Sequence, residues 1–212
     1  VVDVPRVKEK NIIRLDANEV AQLIDNIESG EKLTKQQKVW HERNKARDLA
    51  IVVTLLGTGV RVTELVGLDL SDLDFDNGAM RVIRKGGNED IVYFGEETEE
   101  MLRNYLDERM KMTPAPGHEN ALFISQNNTR ITVRSVERLV KKYASTATVK
   151  KITPHKLRST YGTALYQETG DIYLVADVLG HKNVNTTRKH YAAMKEENKR
   201  KAANIVQLRE KE

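Results

Sequence analysis

Cysteine is absent from this 212-residue chain, which excludes disulfides and thiolate-bound metal and fits a reducing compartment. Long apolar runs are absent too. None approaches the roughly 20 residues that a membrane-spanning helix requires, so no membrane partner is expected. There is one tryptophan, and aromatic residues make up only 5% of the chain, yet hydrophobic residues reach 39% and charged ones 31%. That balance describes a globular protein with a real core, one large domain or two small ones. The acids are scattered, and His155, His181 and His190 lack the spacing of a known ligand set, so no metal or other cofactor is expected. The opening Val1-Val2-Asp3-Val4-Pro5 has no initiator methionine and no signal-peptide pattern. It reads as a cut from a longer protein, and the expected location is the cytoplasm.

What the chain does have, it has unevenly. Net charge is only +4, with a pI near 9.1. Between Thr129 and Thr160, however, nine Lys and Arg face a single acid, Glu137, a net of +8. A basic stripe on a near-balanced protein is the footprint of a phosphate-backbone binder, although a charge run is also what an ordinary solvated face looks like. Within it Arg130, Arg134, Arg138, Lys141, Lys142 and Lys156 are the candidate contacts to double-stranded DNA.

Residues 1–14 are polar and irregular and read as a linker. Asp16-Ala17-Asn18-Glu19 is a capping-box pattern ahead of Val20, Leu23, Ile24 and Ile27, with Gly30 as the stop. A second helix is expected from about Gln36 to Leu56, polar at first and then apolar enough to be the central core helix. Gly57-Thr58-Gly59 ends it, and Arg61–Val66 begins a short helix. Strands are expected at Leu70–Phe75, Ala79–Ile83 and Asp90–Phe94, joined by Asp76-Asn77-Gly78 and Lys85-Gly86-Gly87-Asn88; Asn-Gly between apolar runs is a hairpin signal. A helix spans about Thr98–Met112, and Ala121–Ser125 is short and apolar. The helix from about Thr132 to Ala144 buries Val136, Leu139, Val140 and Tyr143 and exposes Arg134, Arg138, Lys141 and Lys142. Further helices are expected around His155–Arg158, Asp171–Leu179 and Thr186–Tyr191, then a charged helical tail from Met194. The fold class is mainly α with a small antiparallel β-sheet, α+β.

In Thr153-Pro154-His155-Lys156-Leu157-Arg158, Pro154 suits the first turn of a helix, where its missing N–H costs nothing. His155 and Arg158 then fall one turn apart on one face. An imidazole beside a fixed guanidinium fork suits a phosphate. Alone, this pair reads equally well as a solvated basic helix end.

Its companions decide the matter. Gly57-Thr58-Gly59-Val60-Arg61-Val62-Thr63-Glu64-Leu65, then Arg84-Lys85-Gly86, then Thr153–Arg158, then Leu179-Gly180-His181 and Tyr191, in that order, resemble the catalytic domain of tyrosine site-specific recombinases, the phage and transposon integrases. The resemblance covers roughly residues 10–194. It implies a catalytic set of Arg61, Lys85, His155, Arg158, His181 and Tyr191. The arginines would clamp the phosphate, Lys85 would act as general acid to the leaving 5′ oxygen, and Tyr191 would attack to form a 3′-phosphotyrosyl link. Such chemistry needs a nucleophile, a charge clamp and an acid, and two permanently charged guanidiniums do what a metal would otherwise do.

Arg84 competes with Lys85 for the lysine's role, and acidic residues follow the glycine where relatives carry another base. The interval from His181 to Tyr191 is one residue longer than the commonest family spacing, which would put His190 at the nucleophile position. Tyr93, Tyr105, Tyr143, Tyr161, Tyr166 and Tyr173 lie in apolar periodic segments and read as core; Tyr191 alone has a polar context. The resemblance further implies a preceding DNA-binding domain before residue 15, a catalytic domain at 15–194 and a tail at 195–212 exchanged between protomers. It also implies a homo-tetramer on DNA that is a monomer when free, accessory DNA-bending proteins, and a bacterial or phage-encoded, nucleoid-associated enzyme of a mobile element. Type IB topoisomerase-like relaxation and a catalytically silent DNA-binding module are the alternatives.

Overall fold

The structure, a computed structural model, describes residues 13–191; the expected linker up to residue 12 and the tail from Met194 lie outside the described residues. The chain divides into a larger unit, Ile13–Gly162, and a smaller one that includes Thr163 onward.

The larger unit begins with α1, Ala17–Ser29, closed by the expected capping box between Asp16 and Glu19 and stopped by Gly30 at φ 65°. Only glycine fits there, because a Cβ would also lie 2.6 Å from the His41 ring. Helix α2, Lys35–Thr58, is polar in its first half, and every residue from Asp48 to Leu55 is buried. It packs against α1, against α4 (Glu96–Arg109) and against α5 (Val133–Ala147), the central position expected of it. On α5, Val136, Leu139, Val140 and Tyr143 are buried, as their 3.6-residue spacing requires.

Between α3 (Val62–Gly67) and α4 lies an antiparallel sheet in the order β1 (Leu73–Asp74), β2 (Ala79–Ile83), β3 (Glu89–Tyr93). The strand expected at Leu70–Phe75 is mostly not one. Leu70–Asp72 forms a 3₁₀ turn, because the Asp72 carboxylate accepts from the Asp69 N–H at 2.8 Å and diverts the backbone from the ladder. Tyr93, expected in the core, is 70% exposed; strand alternation buries Val92 and turns Tyr93 outward.

Ala121–Ser125 is buried up to Ile124 but pairs only through isolated bridges, Asp69 with Ala121 and Ile124 with Arg130. Side chains replace the missing ladder. The Tyr105 hydroxyl donates to the Leu122 carbonyl at 3.0 Å and accepts from the Ile124 N–H at 3.1 Å. The buried Arg109 guanidinium donates to the carbonyls of Ala121 and Glu119. Buried backbone groups are thereby paired without a strand.

Helix α6, Pro154–Thr169, starts at the expected proline and runs well beyond Arg158. In the smaller unit, α7 (Ile172–Val178) and α8 (Val184–His190) pack together. Among the described residues no helix is long and apolar enough to cross a membrane.

Candidate active site

The larger unit builds a cluster of candidate residues on the end of α2. Thr58 returns its hydroxyl to the Thr54 carbonyl at 2.6 Å, and Gly59 takes φ 66° with its N–H on the Leu55 carbonyl, a left-handed stop natural to glycine. That turn aims the Gly59 carbonyl at Arg158, whose Nη1 donates to it. Arg158 is 5% exposed, so its guanidinium is held rather than free to sweep.

Two residues after Gly59, Arg61 is the N-cap of α3. Glu64, at the N3 position, reaches back to the Arg61 N–H at 2.8 Å and pairs with the guanidinium at 2.8 Å. Its carboxylate is buried and also takes Arg84 Nη1 at 3.0 Å, while Arg84 Nε donates to Asp90 at 3.0 Å. The Arg84 side chain is 10% exposed against 35% for Arg61. The two neighbours differ in burial: Arg84 is a brace for Glu64 and Asp90, and Lys85 is exposed in the turn. That turn relies on Gly86 and Gly87 at φ 95° and 82°.

His155 lies one residue into α6. Partial burial, then the positive charges of Lys156, Arg158 and Arg61, push its imidazole below the ordinary 6.5. His155 thus lies in an electropositive surrounding. The Thr153 hydroxyl and carbonyl both accept from the Lys156 N–H at the start of the helix.

The basic stripe is not uniform. Arg134, Arg138 and Lys141 are exposed on α5 as expected. Arg130 is engaged within the protein: its Nη1 donates to the carbonyls of Val66 and Leu68, and its Nη2 pairs with Asp69. It ties the loop after α3 to the segment before α5. Lys142 is half-buried over the Tyr143 ring, 3.4 Å from Asp48. Lys156 is half-buried.

In the smaller unit the Leu-Gly-His motif is a Schellman stop of α7. Gly180, at φ 63°, donates its N–H to Asp177, and His181 donates its own to Ala176, the paired 5→2 and 6→1 bonds of that motif. The His181 backbone is thereby fixed, and its Nδ1 lies 2.6 Å from the Thr187 hydroxyl. Tyr191 follows α8, with its N–H on the Thr187 carbonyl at 3.0 Å. It is not the accessible residue its polar neighbours suggest. It is 2% exposed, with its ring 5.7 Å from that of Tyr166. Tyr173, expected in the core, is instead 61% exposed, and its hydroxyl accepts from Arg188. Thr187 is fully buried; its sequence signal is the Thr-Thr pair ahead of Tyr191, and that of Glu64 is the capping-box spacing from Arg61. Among the described residues no group of three or more His, Asp or Glu side chains is arranged to hold a metal ion.

Solved recombinases share this architecture. The crystal structure of XerA recombinase aligns with a TM-score of 0.72 at 31% identity, over 89% of this chain and 65% of that one. The Tn1549 transposon integrase, solved in complex with circular intermediate DNA, aligns at 0.69 and 25% identity over 94% of this chain and 69% of that one. The fold is that of tyrosine recombinase catalytic domains. The phage integrase family matches residues 13–198, and the chain belongs to that family. Tyrosine recombinase XerC of Corynebacterium glutamicum is 42% identical over 148 residues, 70% of this chain and 47% of that protein. Tyrosine recombinase XerS of Streptococcus agalactiae is 39% identical over 184 residues, 85% and 51% respectively. The chain spans about half the length of the curated relatives it matches.

Proposed function

We propose that this chain is the catalytic portion of a site-specific DNA recombinase that integrates or excises a mobile element. Double-stranded DNA is its substrate. Arg61 and Arg158 hold the non-bridging oxygens of the scissile phosphate, with His155 and His181 as further contacts. Tyr191 loses its phenolic proton to solvent as its oxygen attacks phosphorus, and the bond to the 5′ oxygen breaks. Lys85 supplies the proton that makes a 5′-hydroxyl, leaving a 3′-phosphotyrosyl link. A partner strand's 5′-hydroxyl attacks that link, displaces Tyr191 and completes strand exchange. The energy of the broken phosphodiester is kept in the tyrosyl ester, so no nucleotide is consumed.

The single observation that carries this reading is the turn at Gly59. It anchors Arg158 through its carbonyl and starts the helix capped by Arg61, which fixes two guanidiniums relative to each other. Electrostatic stabilisation of a developing charge depends on such preorganisation. Exposed Arg134, Arg138 and Lys141 support a neighbouring backbone-binding face. The expected assembly is a homo-tetramer on two duplexes that is monomeric when free, helped by accessory DNA-bending proteins. The catalytic domain would span 15–194, and the tail from residue 195 would be exchanged between protomers in a cytoplasmic, nucleoid-associated enzyme.

The test is covalent trapping on nicked suicide DNA that spans the element's ends, in EDTA, with Tyr191→Phe and His190→Ala alongside. A denaturant-stable adduct lost in Tyr191→Phe and kept in His190→Ala is expected. An adduct that survives Tyr191→Phe removes Tyr191 as nucleophile. None from the wild type, with a working relative as control, removes the enzymatic reading.

A further inference from the structure

We propose that Arg84 is a positioning residue that holds the Lys85 turn in register with Arg61, an inference that rests on the recombinase reading above. The turn is open at its tip. Gly86 and Gly87 stand at φ 95° and 82°, and among the described residues nothing lies within 4 Å of where a Cβ on either would be. The glycines therefore bring no packing, and Lys85 beside them is exposed. The bonds that close the turn lie at its base. There the Arg84 N–H donates to the Asn88 carbonyl at 2.7 Å, and the Gly87 N–H donates to the Arg84 carbonyl at 3.0 Å. The main chain of Arg84 takes part in both.

The side chain of the same residue reaches from the hairpin to α3. Its Nη1 donates to the buried Glu64 carboxylate at 3.0 Å, and its Nε donates to Asp90 of β3 at 3.0 Å. A guanidinium only donates and an ionised carboxylate only accepts, so chemistry fixes the direction of both bonds. The planar fork cannot turn one edge without moving the other. With the Arg84 side chain 10% exposed and Glu64 buried, water competes little for their contact. Glu64 thereby meets two groups at once: the guanidinium of Arg61, and the residue next to the lysine. Clamp and acid stand on different elements, α3 and the turn between β2 and β3, yet share one anchor. They must meet the same phosphate together, and a misplacement of about 1 Å can slow such a reaction roughly 100-fold. Lysine in place of Arg84 keeps a charge against Glu64 and loses the two-edged fork, so it tests position without leaving a buried carboxylate alone.

The first experiment is single-turnover cleavage, at saturating protein, of nicked suicide DNA with either the natural 5′ oxygen or a bridging sulfur at the scissile bond. An alkoxide needs a proton to leave, whereas a thiol, with a pKa of about 8.5, departs as the thiolate without one. Sulfur therefore rescues a misplaced acid but not a misplaced clamp. R84K should cleave the oxygen substrate about 100-fold more slowly than wild type and the sulfur substrate at the wild-type rate, as K85A does, while R61A stays slow on both. R84K/K85A should be no slower than K85A, since the arginine acts through the turn. An R84K rate equal to wild type on oxygen, an equal loss on both substrates, or losses that multiply in the double variant overturns the proposal. The second experiment needs no activity. In R84K, and in D90N, which removes the charge facing Nε and leaves Glu64 paired, hydrogen exchange of the Gly87 amide should quicken while amides within β2 keep their rates. Unchanged Gly87 exchange in either folded variant, or quickening throughout β2, overturns the proposal. If R84K does not fold, D90N takes its place in both experiments. If the wild type forms no adduct, the recombinase reading fails, and the exchange measurement still decides whether Arg84 holds the turn.

Discussion

Glu64 makes a rigid object of two arginines. Its buried carboxylate takes the Arg61 N–H, the Arg61 guanidinium and Arg84, so the charge it neutralises inside the fold is also the charge that orients Arg61. Removing one partner of such a group leaves the others uncompensated, which is why the set behaves as a unit. His155 sits in the surplus positive field left over. Partial burial, with Lys156, Arg158 and Arg61 following, holds its imidazole below 6.5 and favours the neutral form. An NMR titration of the free chain should give a midpoint below 6.5, and Lys156→Gln should move it upward; a midpoint at or above 6.5 would contradict the geometry. The sign for stability follows from the same shift. Below 6.5 the unfolded chain binds this proton more readily than the folded one, so the contribution of His155 is lost as the pH falls through that window.

At the scale of elements, local signals were legible and long-range ones were not. The capping box of α1, the left-handed glycines at 30 and 59, the proline that opens α6 and the two-faced α5 each follow from a few adjacent residues. The strand at Leu70–Phe75 failed because its aspartates bond their own backbone. The strandless Ala121–Ile124 segment depends on Tyr105 and Arg109, which sequence proximity does not suggest. Of the candidate site, motif order singled out the residues but said nothing of burial: Tyr191, in a polar stretch of sequence, is buried, and outside the site Tyr93 and Tyr173, read as core, are exposed. Arg130 shows the same limit within the basic stripe, because charge counts cannot see a guanidinium spent on carbonyls. Arg130→Ala should therefore lower the urea midpoint of unfolding. Arg134→Ala and Arg138→Ala should leave that midpoint unchanged and weaken DNA binding, each reducing the salt slope by about one. A stability loss confined to the α5 variants would reverse this division.

At the scale of the larger unit, its first residues are tied to its last. The Leu15 N–H donates to the Thr160 hydroxyl at 3.0 Å. Glu19, in the first turn of α1, meets Lys150 at 2.6 Å and the Thr148 hydroxyl at 2.7 Å. Lys150 is the largest influence in bringing the Glu19 carboxyl from 4.5 to about 2. The folded pKa is depressed, so the stabilisation is present above 4.5 and lost as pH falls toward 2. Glu19→Gln should lower the thermal midpoint at pH 7, and the gap to wild type should close across that interval. A gap that stays constant would mean the charge is irrelevant.

The turn at Gly59 has one more implication, for how much length the chain tolerates. Within five residues it ends the longest helix, anchors one arginine and launches the helix that carries the other. Surface turns such as the one at Gly117 connect elements that are held elsewhere, and can lengthen at little entropic expense. Between Leu55 and Glu64 there is no such slack. Lineages of this fold can drift widely in their loops, but a single inserted or deleted residue here would put the two arginines out of register, however well every other contact survived.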